Sequence, residues 1–279
     1  MMAELIDRKA QKMEARELLR TAQVSPKAVT ALFMALSSAT SLIEYFSHGT
    51  GILSTFLNIF FSFFTSVLAA GFALYCMTVR RGERAEIATL FDGFNMVGKI
   101  ILLNVVMGVF IGLWALLFLI PGIVAMYRYQ FALYNLLENP GIGVMEAIDM
   151  SKRQTMGYKV QLFKLDLSYL GWLLLAGLPA AVELTILYRT IIQLAMADPY
   201  SLYLMSEAEL TAAAFGSVPF VGILLFTGLW SLVVSLFFYP NRVCVELGYF
   251  ETAKRTSGVG LDAGGGQEPR PEDGGWNGL

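Results

Sequence analysis

Residues 100–141 read IILLNVVMGVFIGLWALLFLIPGIVAMYRYQFALYNLLENPG. From Ile100 to Ile120 there is no charged side chain, and at 1.5 Å per residue such a run forms a helix about 30 Å long, the thickness of a bilayer's hydrocarbon layer. Pro121-Gly122 interrupts it, and a second apolar run, Ile123 to Leu137, stops at Asn139-Pro140-Gly141. The pattern predicts two antiparallel helices in a membrane, and the rest of the chain repeats it.

Working outward, apolar runs cover about 28–46, 52–79, 100–120, 123–138, 165–188 and 213–239. These predict an all-α polytopic membrane bundle of six transmembrane helices. The composition agrees: of 279 residues 56% are hydrophobic and only 15% charged, with a mean hydropathy of +0.59, whereas soluble domains are nearer one quarter charged. Polar stretches at about 3–20, 87–97 and 142–156 read as amphipathic helices in the interface, the last with an apolar stripe of Ile142, Met145 and Ile148. The domain plan is a cytosolic amphipathic segment over 1–27, one membrane domain over 28–255 and a disordered Gly-rich tail over 256–279.

Orientation follows from the basic residues, which accumulate on the cytoplasmic side of spanning helices. With six spans and both termini inside, 18 of the 20 Lys and Arg fall on inner segments, and the outer loops 47–51, 121–122 and 190–212 hold none. Arg128 and Arg189 sit within or at the end of spans. The N-terminal stretch mixes acids and bases without an apolar core and reads as part of the mature protein. Cys76 and Cys244 lie in apolar helical contexts and read as buried, reduced packing residues. The formal charge of −2 gives no basic field for nucleic acid. No Walker loop, dinucleotide fingerprint, zincin or nucleophile-elbow motif occurs, so no catalytic residue, metal site or cofactor is expected.

Residues 120–172 carry a Pro-Gly break (Pro121, Gly122), a Tyr-rich helix (Tyr127, Tyr129, Tyr134) and an Asn139-Pro140 turn. Glu146-Ala147-Ile148, Ser151-Lys152 and Met156-Gly157 follow, then Leu162-Phe163 and Leu165-Asp166-Leu167-Ser168 ahead of Trp172. This order resembles a bacterial membrane-protein family known as domain of unknown function 975. Leu90-Phe91-Asp92-Gly93-Phe94, Gly98-Lys99 and Ala15-Arg16-Glu17-Leu18-Leu19 are also similar to it, so that the resemblance reaches about Arg255. More distantly the architecture is similar to the membrane domain attached to some glycerophosphodiester phosphodiesterases, but the sequence holds no hydrolase domain to carry that activity. The resemblance implies a fold and a bacterial plasma membrane, not a reaction.

Ionisable side chains inside spans are costly in lipid and mark paired sites or pathways. Glu44, Arg128 and Glu183 qualify and form the candidate intramembrane polar site, with Arg128 placed to pair with either carboxylate. Pro121, Gly122, Pro140, Gly157 and Asp166 are candidate structural positions, Asp166 as a carboxylate near the start of the fifth span. Gly108 and Gly112 form GxxxG, read as a close helix approach within the bundle. The expected role is a non-enzymatic scaffold, assembly factor or modulator in the bacterial plasma membrane. Its partners would be the bilayer, anionic lipids at the cytoplasmic face, and a membrane-protein partner or a second copy. The alternative is a small transporter or channel with its polar site near Arg128 and Glu183.

Overall fold

The computed structural model describes residues 4–46, 52–216 and 220–261. Among these all regular structure is helical. In chain order it comprises α1 (Arg8–Thr21), α2 (Pro26–Phe46), α3 (Ile52–Arg80), a 3-10 segment (Ile87–Met96), α4 (Val97–Leu117), α5 (Leu119–Tyr129) and α6 (Ala132–Glu138). There follow α7 (Val144–Gln154), α8 (Lys159–Leu167), α9 (Leu170–Ala197), α10 (Pro199–Leu204), α11 (Glu207–Phe215) and α12 (Phe220–Ser257). Four helices, over Ile52–Arg80, Ile87–Leu117, Leu170–Ala197 and Gly222–Ser257, are long and apolar enough to cross a membrane. The chain divides into two compact units, one of Met1–Leu5, Leu102–Val160 and Tyr249–Leu279, the other of Ile6–Ile101 and Gln161–Gly248.

In the larger unit α3 packs tightly on the 3-10 segment because two glycines allow it. A Cβ on Gly71 would collide with the Leu90 carbonyl, and one on Gly93 would sit 2.5 Å from the Val67 carbonyl oxygen. Segment 87–97 is therefore seated against α3, with Leu90 and Gly93 buried. Phe33 of α2, Phe72 of α3 and Tyr239 of α12 stack at centroid distances of 5.0–5.7 Å. Polar ties lace the helix ends: Tyr75 donates to the Val24 carbonyl at 2.8 Å, and Asn241 accepts from the Tyr169 hydroxyl at 2.6 Å while donating to the Lys12 carbonyl. Arg80, its side chain only 5% exposed, donates to the Cys244 carbonyl at 3.1 Å and pairs with Glu14 at 3.3 Å.

In the smaller unit the core is Leu103, Ala125, Tyr129, Ala132, Leu136, Val144, Ala147 and Ile148. The run 123–138 is two helices, α5 and α6, broken at Gln130-Phe131. The break before it falls at Phe118, ahead of Pro121. Pro121 is then the third residue of α5, where its missing N–H has no intrahelical acceptor to lose. Gly122 fits because a Cβ there would lie 2.9 Å from the Ala115 Cβ on α4. Segment 142–156 forms α7, whose Val144, Ala147, Ile148 and Ser151 are buried in this unit, while Met145 stays exposed. Gly157 turns the chain into α8 with φ of +84°, a left-handed conformation that favours glycine.

Several helix ends fall away from where the apolar runs stop. The span expected over 165–188 is α9, shifted to 170–197 and separated from α8 near Ser168 and Tyr169. The one expected over 213–239 begins at 220 and continues through Pro240 to Ser257. Segment 3–20 becomes α1, started by Asp7, whose carboxylate accepts from the Lys9 and Ala10 amides. Thr256 and Val259 are held by Tyr158 and Gln154, so the tail expected from 256 is ordered as far as 261. The turn at 47–51 and residues 262–279 lie outside the described residues. Nothing approaches a Cβ placed on Gly108 or Gly112, so no helix of the described structure uses the GxxxG pattern.

Candidate functional site

Glu183 lies in the middle of α9, four residues beyond Pro179. A proline inside a helix removes the N–H that would bond the carbonyl four residues earlier, here Leu175. That carbonyl instead accepts the indole N–H of Trp230 on α12 at 2.8 Å. One helical turn toward the start of α12, the Thr227 hydroxyl donates to the Glu183 carboxylate. The carboxylate therefore faces a hollow of about 480 Å³ walled by Pro179, Ile186, Phe215, Phe226 and Trp230. Such a hollow, almost wholly apolar with one acidic group held by a single hydroxyl, suits a proton or a cation carrying apolar groups.

Arg128 belongs to the other unit and sits half-buried at the end of α5. Its carbonyl accepts from the Ser151 hydroxyl at 2.9 Å and the Thr155 hydroxyl at 3.3 Å. Ser151 also accepts the Phe131 amide at 3.1 Å, so one hydroxyl bridges both sides of the α5–α6 break. Beside it Asn135 and Gln154 exchange two hydrogen bonds of 2.8 and 2.9 Å, and Gln154 reaches the Val259 carbonyl. All four polar side chains, Asn135, Ser151, Gln154 and Thr155, are fully buried. Asp149, on the exposed side of α7, is held below the ordinary carboxylate range, first by its hydrogen bond from Lys152 and more weakly by the charges of Lys152, Arg153 and Arg128.

Arg128 and Glu183 thus belong to different units, Glu183 bonded through its carboxylate to Thr227 and Arg128 through its backbone carbonyl to α7, while the Glu44 side chain lies outside the described residues. Asp166 lies near the end of α8, four residues ahead of α9, and its carboxylate pairs with Arg242 of α12 at 3.0 Å. Pro140 lies in the turn from α6 to α7, closed by the Ile142 amide on the Asn139 carbonyl at 3.2 Å. Among the described residues there is no group of three His, Cys, Asp or Glu able to hold a metal ion.

Sequence reasoning missed Thr227, Trp230 and the Asn135–Gln154 pair. A signal for Trp230 exists: Pro179 inside a span announces a carbonyl that needs a donor from a neighbouring helix. No comparable local signal marks Asn135 and Gln154.

The fold and these sites define an all-helical protein with several helices able to cross a bilayer, braced by side chains where proline or a break interrupts the backbone ladder. The chain belongs to the family described as protein of unknown function DUF975, whose pattern matches residues 1–133 and 116–202. The match ends before α11, so α12 lies beyond it. No curated protein and no solved structure matches the chain.

Proposed function

We propose that this protein is a non-enzymatic scaffold or modulator in a bacterial plasma membrane, crossing it six times with both termini in the cytosol. The observation carrying this reading is α9, an apolar helix of 28 residues that buries none of them within the chain. A span that meets α12 at a few points and still buries no residue leaves most of its surface to lipid and to helices of other proteins. The two spans beyond the four long helices would be α2, of 21 residues, and the broken pair α5–α6. The placement of 18 of 20 basic residues on one side supports the orientation. The test is photo-crosslinking from Leu174 and Leu184, both exposed on α9, in native membranes. Discrete protein adducts on one face are expected, and lipid adducts alone around the whole helix would reject the scaffold.

A second reading is transport of a proton or a small cation, favoured by the Glu183 carboxylate in its apolar hollow. Proteoliposomes holding a pH-sensitive dye test it: a leak abolished by Glu183→Gln supports transport, and identical fluxes with wild type and variant reject it.

A further inference from the structure

The larger unit holds a second hollow, of about 570 Å³, that neither reading uses. One side is basic: Arg16 and Arg20 from the last turns of α1, and Lys27 from the first turn of α2. The opposite side is apolar and aromatic, made by Trp172 at the start of α9 with Phe237 and Pro240 of α12. No Asp or Glu lines it. All three cations are exposed, and none forms an ion pair with any carboxylate of the described residues. Lys27 holds its ammonium 5.6 Å from the centroid of the Phe237 ring, which ties the basic side to the aromatic one. The positive field reaches further: Lys12, 3.9 Å from the Tyr169 ring centroid, is held below the ordinary lysine range by burial and then by Arg8 and Arg16.

Three features narrow the ligand. Three uncompensated cations call for a group with concentrated negative charge, such as a phosphate. The start of α2, with Pro26 and Lys27 on the rim, adds the positive end of a helix dipole. The aromatic wall stands at the beginning of a helix long enough to cross a membrane and runs on into the exposed Leu173 and Leu174. Trp beside Lys and Arg at a span's end is the composition of the headgroup layer. A free phosphate would use only the basic side and leave Trp172 and Phe237 idle.

We propose that this hollow binds an anionic phospholipid, with its phosphate held by Arg16, Arg20 and Lys27 and its acyl chains laid along Trp172 and Phe237. The assignment rests on the membrane placement proposed above, but not on the scaffold role.

The test uses the full chain in nanodiscs of phosphatidylglycerol and phosphatidylcholine in equal parts, with retained lipid read by native mass spectrometry after transfer to detergent. Wild type is expected to retain phosphatidylglycerol over phosphatidylcholine. Each cation contributes about a fivefold preference near a surface, so Arg16→Ala/Arg20→Ala/Lys27→Ala should lose it on the order of a hundredfold. Should the triple variant fail to fold, Arg20→Ala alone, at an exposed position without an ion pair, should show the fivefold loss. Trp172→Ala should weaken retention while leaving the headgroup preference in place. Wild-type retention in the triple variant would overturn the proposal. So would an equal loss from Arg84→Ala/Arg153→Ala/Lys159→Ala, which removes three cations elsewhere. Displacement of the lipid by millimolar inorganic phosphate would assign the hollow to a free anion instead. Failure of wild type to enter nanodiscs would reject the membrane placement itself, whereas missing protein adducts from α9 would reject the scaffold and leave the lipid site standing.

Discussion

Trp230 donates its indole N–H to the carbonyl of Leu175, the acceptor that Pro179 leaves without a helical partner. A kink-forming residue on α9 and its remedy on α12 therefore form one unit, and each should matter only while the other is present.

Trp230→Phe keeps most of the ring and removes the donor. It should destabilise the detergent-solubilised protein by about 1 kcal/mol, the scale of hydrogen bonds measured between membrane helices. Pro179→Ala restores an N–H for Leu175 and should absorb most of that loss. A double-mutant cycle by thermal melting reads the coupling, and additive effects would dissolve the link.

Ser151 serves both sides of the α5–α6 break, accepting from Phe131 and donating to Arg128. Ser151→Ala takes the acceptor from the buried Phe131 amide, while the Arg128 carbonyl keeps Thr155, and should cost about 1–3 kcal/mol. Hydrogen exchange at the Phe131 amide is the sensitive readout. An unchanged rate there would mean that another group holds the break.

Gly71 and Gly93 let α3 and the 3-10 segment touch backbone to backbone. Gly71→Ala meets a carbonyl rather than a flexible side chain, so the segment must move. The expected cost is about 3 kcal/mol, at the upper end for overpacking. Gly98→Ala, where a Cβ meets nothing, should be tolerated. Comparable melting of the two variants would contradict the packing argument.

Lys12 gives a pH dependence whose sign can be worked out. Its value is lowered in the folded state from 10.5, first by burial and then by Arg8 and Arg16. Below the folded value the ammonium is charged in both states and its cost is fully present. Between the folded value and 10.5 only the unfolded chain still holds the proton, so stability rises with pH there. Lys12→Met should remove that rise, which denaturation at a series of alkaline pH values would reveal.

The amino-acid sequence makes the long spans legible because a run such as Ile100 to Ile120 has one physical reading in lipid. Helix ends are less legible. Hydropathy stops the last run at residue 239, yet α12 continues past Arg242, because a helix can leave the apolar layer without ending when Asp166 pairs with that arginine. The apolar stripe of 142–156 is readable, but not the surface it meets: it could face headgroups or a core, and α5 and α6 supply the core. Glu183 stands out as a carboxylate among apolar residues, whereas its partner Thr227, 44 positions away, is one hydroxyl among many.

Arg80 closes α3 with a guanidinium almost sealed from solvent, and one of its acceptors is the carbonyl of Cys244, 164 residues later in the chain. During synthesis that acceptor does not yet exist when α3 emerges. The Glu14 carboxylate precedes Arg80 in the chain, so the final helix adds a neutral acceptor to a cation that already has a counter-ion. The end of α3 is thereby tied to both extremities of its unit, to α1 by charge and to α12 by a backbone carbonyl, and a chain cut before Cys244 would keep only the first of these ties.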